Sequence, residues 1–351
     1  MPPRSRKRRA MRWTGIGLCV FLLWLAAWSL AGYFSFRDGV QAANKRLPTA
    51  AKRELSGNGG LPLTSPTTIL LLGTDSGRGP ARRGLRHSDS MMLLRTDPDH
   101  HRISYLSIPR DLWVEIPGQG ANRINAAYQE GGAPLALRTV HGLTGLDIDH
   151  VIVVDFDRFK TLIDRIGGID VTVPHAIQSN RFECPYDAER CTSWDGWRFA
   201  KGRQHMDGQR ALVYSRIREN RLDPSDNDIT RAERQQQVTQ AIMDKLSGVG
   251  TFLKLPFVGG DLLKPLATDL SAGELIQLGW VKFRSDGGST MRCRLGGDPD
   301  TIGGAWVLRS SEENRNVLSM FTGDSAAQPP PPGTGTYGPG CVIGSKSLGS
   351  R

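Results

Sequence analysis

Acidic and basic side chains recur in this chain where apolar runs begin or stop. Leu70-Leu71-Leu72-Gly73-Thr74-Asp75 closes one run on a carboxylate, Ser88-Asp89-Ser90 opens the next, and Ser107-Ile108-Pro109-Arg110-Asp111 closes a third on both charges. Strand ends are where a rigid scaffold presents side chains to a cleft. Asp75 and Asp89 together suit Mg²⁺, which takes one or two carboxylates and leaves its other positions to water and phosphate oxygens. Turn chemistry accounts for either acid alone, because Asp is at home in turns.

A second set lies further along. Arg216 and Arg218 stand at the end of a helical pattern over Asp207–Arg216. Their i, i+2 spacing points them apart on a helix and together on an extended chain; the helix dipole alone also attracts Arg there. Then comes Asp228-Ile229-Thr230-Arg231-Ala232-Glu233-Arg234-Gln235. Thr230 and Glu233 have the spacing of a capping box, which puts Arg231 and Gln235 on one face of the opening turns. Free N–H groups, the positive dipole end, Arg and Gln together favour a bound phosphate. A solvated charged face explains any one of these features singly. There is no Gly-x-Ser-x-Gly elbow, no Walker loop and no His-Glu-x-x-His, so those nucleophile, nucleotide and zinc chemistries have no motif here.

The elements that must position these residues form an alternating α/β pattern. Thr67–Leu72, Met91–Arg95, Ile103–Ile108, Val151–Phe156 and Ile169–Val173 are short β-rich apolar runs. Helical patterns fall at Ala133–Gly142, Asp157–Ile166, Asp207–Arg216 and Thr230–Leu246. Ser271 with Glu274, and Ser310 with Glu313, read as capping boxes opening two late helices. Such alternation predicts a central sheet flanked by helices.

Ahead of this body, residues 1–12 carry Arg4, Arg6, Lys7, Arg8, Arg9 and Arg12 and no acid, and Trp13–Phe36 is free of charge. An uncharged run of this length exceeds the roughly 20 residues needed to cross a bilayer. The basic flank predicts a cytoplasmic N-terminus and an extracytoplasmic body. A cleaved signal peptide is the alternative, with small residues at Ser29-Leu30-Ala31, but the apolar run is longer than the usual core of such a signal. The formal charge of +10 is mostly this tail, since removing its six cations leaves 39 basic against 35 acidic residues. A nucleic-acid footprint over the body is therefore not indicated.

Residues 37–63, polar and carrying Gly57-Asn58-Gly59-Gly60, read as a stalk; residues 64–323 form the folded domain. Residues 324–351, with Pro329 to Pro332 in a run, read as a largely disordered tail. Beyond the span lie four cysteines, an even number in an oxidising compartment. Of the three possible pairings, Cys184–Cys191 closes a short polar loop and leaves Cys293 with Cys341; buried free thiols are the other reading.

Ten segments in order resemble the LytR-CpsA-Psr family of cell-wall proteins. They are Leu71–Asp75, Ser88–Ser90, Ser107–Asp111, Arg123–Tyr128, Leu143–Gly145, Asp155-Phe156, Ile166–Ile169, Met206–Leu212, Ser215–Arg218 and Arg231–Gln235. The resemblance implies an αβα layered domain with a central mixed sheet behind one transmembrane helix. It implies a glycopolymer transferase whose donor is a glycan on polyprenyl pyrophosphate and whose acceptor is a peptidoglycan sugar hydroxyl. Asp75 and Asp89 then match the Mg²⁺-associated acids. Arg110, Arg216, Arg218, Arg231 and Gln235 match pyrophosphate contacts, and Asp111 and Asp228 match further acids of the site. Where the family commonly carries Arg before Ser-Asp this chain has His87, with Arg86 next door as the substitute. The lipid requires an apolar tunnel, for which Phe252–Leu266 and Leu270–Phe283 are candidate walls, although ordinary core would look the same. Two rival functions use the same residues: a pyrophosphatase with water as acceptor, and a non-catalytic regulator that binds wall precursors.

Overall fold

The computed structural model describes residues 4–57, 60–75, 87–182, 184–224, 228–246, 248, 250, 251, 254, 259, 260, 263–285, 287–334 and 337–344. For residues 4–10, 75, 87–89, 156–158, 188, 228, 229 and 232 only the backbone is described. The helices are α1 (Arg4–Arg46), α2 (Thr49–Arg53), α3 (Asn125–Thr144), α4 (Phe156–Arg165), α5 (Ala188–Ser193), α6 (Gly208–Arg216), α7 (Asp228–Leu246), α8 (Ala272–Arg284) and α9 (Asn314–Thr322). The first strands are β1 (Thr67–Asp75), β2 (His87–Asp97), β3 (Arg102–Ile108), β4 (Leu112–Ile116), β5 (Gly120–Arg123), β6 (His150–Asp155) and β7 (Ile169–Val173). Two short pieces, β8 (Ile177–Gln178) and β9 (Arg198–Phe199), pair with each other, and β10 (Gly202–Met206) pairs with β7. The last strands are β11 (Leu266–Thr268), β12 (Met291–Arg294), β13 (Gly297–Ile302), β14 (Ala305–Ser310) and β15 (Gly340–Ile343).

A mixed sheet in the order β11-β6-β1-β2-β3-β12-β15 forms the centre. Its β1–β6 and β3–β12 ladders are parallel and its other ladders antiparallel. Strand residues alternate between faces. Leu70 and Leu72 join the core under α2, α3 and α9, whereas Ile69 and Leu71 join the core under α8. Both faces are covered, which is why β1 reads as an unbroken apolar run rather than an alternation. The outcome is an αβα layering, as expected. A smaller sheet, β13-β14-β4-β5, sits at one end.

Several local expectations change. Helix α3 starts at Asn125 rather than Ala133, because Gly132 takes a φ of 61° and lets two helical pieces run on across the Gly-Gly-Ala-Pro break. Helix α7 starts at Asp228, so Thr230 lies inside it and is not its cap. The Ser271–Glu274 capping box is present with both hydrogen bonds. The one read at Ser310–Glu313 is not: Ser310 closes β14, and α9 opens after Glu313 without a side-chain cap.

Described residues of both flanks pack on the body. Helix α1 continues unbroken past Phe36 to Arg46, and Val40, Ala43, Leu47 and Ala51 are buried against the body. Polarity suggested a stalk, but Asn44 donates to Asp269 O at 3.2 Å and Arg46 to Leu266 O at 2.8 Å. At the other end β15 pairs with β12, and Cys341 sits opposite Cys293 and is disulfide-bonded to it. Residues 340–343 are therefore an edge strand of the main sheet, where composition alone predicted disorder. Cys184 and Cys191 are also bonded, as read from their spacing.

Candidate active site

The end of β3 builds one wall of a small cleft. Arg110 Nε donates to Asp111 Oδ2 at 3.2 Å, and Arg123 Nη1 reaches Asp111 Oδ1 at 3.5 Å. The Asp111 side chain is nearly buried (8% exposed), so these guanidinium groups are its compensation. Backbone bonds from Asn125 N to Arg110 O and from Leu308 N to Asp111 O hold the turn itself. Sequence reasoning included Asp111 but missed Arg123, because that pairing depends on β4 and β5 folding back as a hairpin.

Helix α7 forms the opposite wall and is stapled over the sheet by two adjacent glutamines. Ser90 Oγ donates to Gln235 Oε1 at 2.9 Å. Buried Gln236 donates through Nε2 to Ser107 Oγ at 2.8 Å and to Cys293 O at 3.3 Å. Arg110, Asp111, Arg231 and Gln235 consequently line one cleft of about 40 Å³, together with Ser90, Trp306, Tyr337 and Arg294.

Arg294 is a second residue not singled out from the sequence. It is only 3% exposed, its Nη2 donates to Gly338 O at 2.6 Å, and its Nε and Nη1 have no partner among the described residues. Burial pulls its pKa down to about 10, against an opposing effect of the Glu233 charge, so it stays cationic at neutral pH. A buried guanidinium with unpartnered nitrogens on a cleft is unfavourable unless an anion comes to it. A signal was present: Met291-Arg292-Cys293-Arg294 places two Arg on one face of a strand whose other face is core.

The remaining expected residues stand as follows. Arg216 ends α6, and Ile217 is extended (φ −58°, ψ 127°). Arg234, one turn along α7 from Arg231, donates to Ile217 O, which ties the Arg216–Arg218 segment to α7. Neither Arg216 nor Arg218 lines the cleft. Arg86 lies outside the described residues, as do the side chains of Asp75, Asp89 and Asp228. The backbone of the acid pair is informative. Asp75 pairs with His87, Thr74 with Ser88 and Gly73 with Ser90, leaving Asp89 as the extra residue of a bulge. Bulges re-aim side chains and recur beside active sites. Asp75 and Asp89 thus belong to neighbouring strands of one ladder, and carboxylate oxygen is the donor type that Mg²⁺ takes.

Next to the polar cleft lies an apolar cavity of about 580 Å³. Ile69, Leu71, Leu94 and Ile152 of the sheet, Leu275 and Leu278 of α8, and Phe36 of α1 contribute to its walls. Helix α7 serves both spaces. Arg231 and Gln235 face the cleft, and Thr239, Met243 and Leu246 face the cavity. Successive steps of four, four, four and three residues keep all five on one face. That face changes from cationic to apolar over about 22 Å at 1.5 Å per residue. Such a surface is complementary to an elongated amphiphile with an anionic head.

Comparison with known proteins gives a consistent picture. The LytR_cpsA_psr family model matches residues 32–318. TagV of Bacillus subtilis, a polyisoprenyl-teichoic acid–peptidoglycan teichoic acid transferase, is 31% identical over 219 residues, covering 61% of this chain and 52% of its own length. TagU of Oceanobacillus iheyensis, of the same description, is 32% identical over 267 residues, covering 74% of this chain and 76% of its own. This chain thus spans about half the length of that TagV and about three-quarters of that TagU. A solved structure of TagT bound to LIIa-WTA matches with a TM-score of 0.59 at 25% identity, over 76% of this chain and 94% of that one.

Proposed function

The chain belongs to the LytR_cpsA_psr family, and from that premise we propose that it transfers a glycopolymer from a polyprenyl-pyrophosphate carrier to a sugar hydroxyl of peptidoglycan. The observation that carries this reading is the face of α7, which joins an Arg-lined cleft to an apolar cavity. The head of such a donor is a pyrophosphate and its tail is hydrocarbon, and each finds its complement on that face. The relatives TagV and TagU are described as acting on polyisoprenyl-linked teichoic acid, which supports the same class of donor.

In the proposed reaction the acceptor hydroxyl oxygen attacks the phosphorus that bears the glycan. The bond from that phosphorus to the bridging oxygen breaks, polyprenyl phosphate departs with the electron pair, and the hydroxyl proton passes to base or solvent. A phosphodiester then joins glycan to wall. Phosphoryl transfer of this kind depends on positioning and charge neutralisation more than on covalent catalysis. Arg110, held by Asp111, and Arg231 with Gln235 on α7 bind the phosphate oxygens, and Arg294 adds a preformed cation. The family resemblance would add Arg86, Arg216 and Arg218 to the phosphate contacts and Asp228 to the acids of the site. Asp75 and Asp89 would hold Mg²⁺, whose charge would neutralise the pyrophosphate and steady the departing phosphate. The apolar part of α1 would cross the cell membrane once, the basic end remaining cytoplasmic and the catalytic domain outside.

The full-length protein in proteoliposomes, given lipid-linked glycan, Mg²⁺ and a peptidoglycan oligomer, is expected to yield a phosphodiester-linked product detectable by mass spectrometry. Free glycan phosphate without linked product would mean that water is the acceptor. Binding without turnover would mean that the protein is a precursor-binding regulator.

A further inference from the structure

Helix α8 carries apolar side chains on two opposite faces. Leu278 and Val281 turn inward and are buried. Ile276, Trp280 and Phe283, spaced as one outward stripe, are 50%, 50% and 66% exposed. The Trp280 and Phe283 rings stack on each other at 5.6 Å between centroids. An outward helix stripe in water is ordinarily polar, and a contiguous apolar one marks an interaction surface.

The position of the stripe identifies what covers it. All three side chains line the rim of the 580 Å³ cavity, and so does Phe36. Phe36 is also the last residue of the uncharged run of α1. Beyond it α1 passes without a break onto the body. Gly260 N donates to Ser35 Oγ at 3.2 Å, and a Cβ on Gly39 would meet the Gly260 backbone at 2.8 Å, so that helix and chain touch directly. Asn44 and Arg46 then bind carbonyl groups just ahead of α8. A span seated so firmly sets the height of the body above the bilayer, and it sets the cavity rim at the level where the span leaves the hydrocarbon.

We propose that the outer face of α8, through Ile276, Trp280 and Phe283, docks into the interfacial layer of the same membrane that α1 crosses, so that the cavity opens onto lipid rather than water. This rests on the reading of α1 as a membrane span and deepens the proposed function, since a polyprenyl tail then enters the cavity without crossing water. Trp at the rim suits this role, because its amphipathic ring favours the headgroup level. Exposed Arg284 follows directly, its Nη2 lying 2.9 Å from His101 Nε2.

The test uses the full-length chain in vesicles of phosphatidylglycerol and phosphatidylethanolamine, with phospholipids brominated near the headgroup as quenchers. Emission of Trp280 is isolated as the difference between the wild type and Trp280→Phe. Emission of Trp306, at the phosphate cleft, is isolated in the same way with Trp306→Phe. Brominated lipid is expected to remove most of the Trp280 emission and to leave that of Trp306 unchanged. Trp280 emission untouched by brominated lipid, or quenching of both residues alike, would overturn the proposal and leave the stripe to a protein partner. The readout needs neither donor nor acceptor. An inactive transferase with quenched Trp280 would count against the proposed function alone, and an active one with unquenched Trp280 against the docking alone.

Discussion

The Ser90 hydroxyl donates to Gln235 Oε1 at 2.9 Å, joining β2 to α7 across the mouth of the cleft. That bond turns the Gln235 amide so that its oxygen faces Ser90 and its nitrogen, a donor, points away from Ser90. Ser90→Ala is expected to weaken donor binding several-fold, since a lost neutral hydrogen bond is worth about 1 kcal/mol. Steady-state kinetics should show the loss in KM with kcat little changed. An unaltered KM would mean that Gln235 orientation plays no part in binding.

Arg294 presents the opposite balance between stability and function. Its buried guanidinium has two nitrogens without a partner among the described residues. Replacing buried charged groups with well-packed hydrophobic side chains of similar volume is often neutral or stabilising by about 1–4 kcal/mol. Arg294→Met is therefore expected to melt no lower than the wild type when empty, and to lose the rise in melting temperature that pyrophosphate gives the wild type through binding linkage. Differential scanning calorimetry with and without inorganic pyrophosphate measures both. A full ligand-induced rise in the variant would remove Arg294 from the phosphate site.

The two disulfides should differ in weight. Cys293–Cys341 joins residues 48 apart and fixes an edge strand of the main sheet, whereas Cys184–Cys191 spans 7 residues on a peripheral loop. In the chain-entropy account the longer loop gains more, and loss of a native disulfide costs roughly 2–5 kcal/mol. Replacing Cys293 and Cys341 together with Ala should destabilise more than the same change at Cys184 and Cys191. It should also weaken pyrophosphate binding, because Arg294 neighbours Cys293 and bonds to Gly338 in the segment that the bridge retains. Urea melts of the two double variants compare them directly.

A pH dependence follows from His150 and Asp269. The imidazole Nδ1 lies 2.6 Å from Asp269 Oδ2. Burial by itself would lower the His150 pKa, but the hydrogen bond and charge of Asp269, with Glu274 and Asp149, raise it above its ordinary 6.5. A raised folded pKa contributes stability that is complete below the unfolded value and is lost as pH rises through the folded one. Thermal melts from about pH 6 to about pH 8.5 should show the wild type losing more stability than His150→Gln. Parallel profiles would mean that the pair is not linked to folding.

The legible and illegible parts of this molecule divide along one line. Strand β1 was readable because both sheet faces are buried, so its pattern is local. The turn at Pro109-Arg110-Asp111 was readable because it ends such a strand. Arg294 was not, because its place in the cleft depends on β12 pairing in parallel with β3 across nearly two hundred residues. The order of the C-terminal segment depends on β15 finding β12, which Pro-rich composition does not encode. The stalk reading failed because Asn44 and Arg46 look solvated in sequence, yet their partners are backbone carbonyls more than two hundred residues away.

On the proposed function, one amphiphile lies along α7, its pyrophosphate at Arg231 and Gln235 and its tail beside Met243. Binding of prenyl pyrophosphates of increasing chain length should be titrated against the wild type, Arg231→Met and Met243→Asp, each with the matching monophosphate as control. The wild type is expected to bind tighter with each added isoprene until the cavity is filled, and to prefer pyrophosphate. Arg231→Met should keep the length dependence and lose the headgroup preference; Met243→Asp should do the reverse. Wild-type affinity that ignores both chain length and the second phosphate, or two variants that lose both dependences equally, would contradict the account.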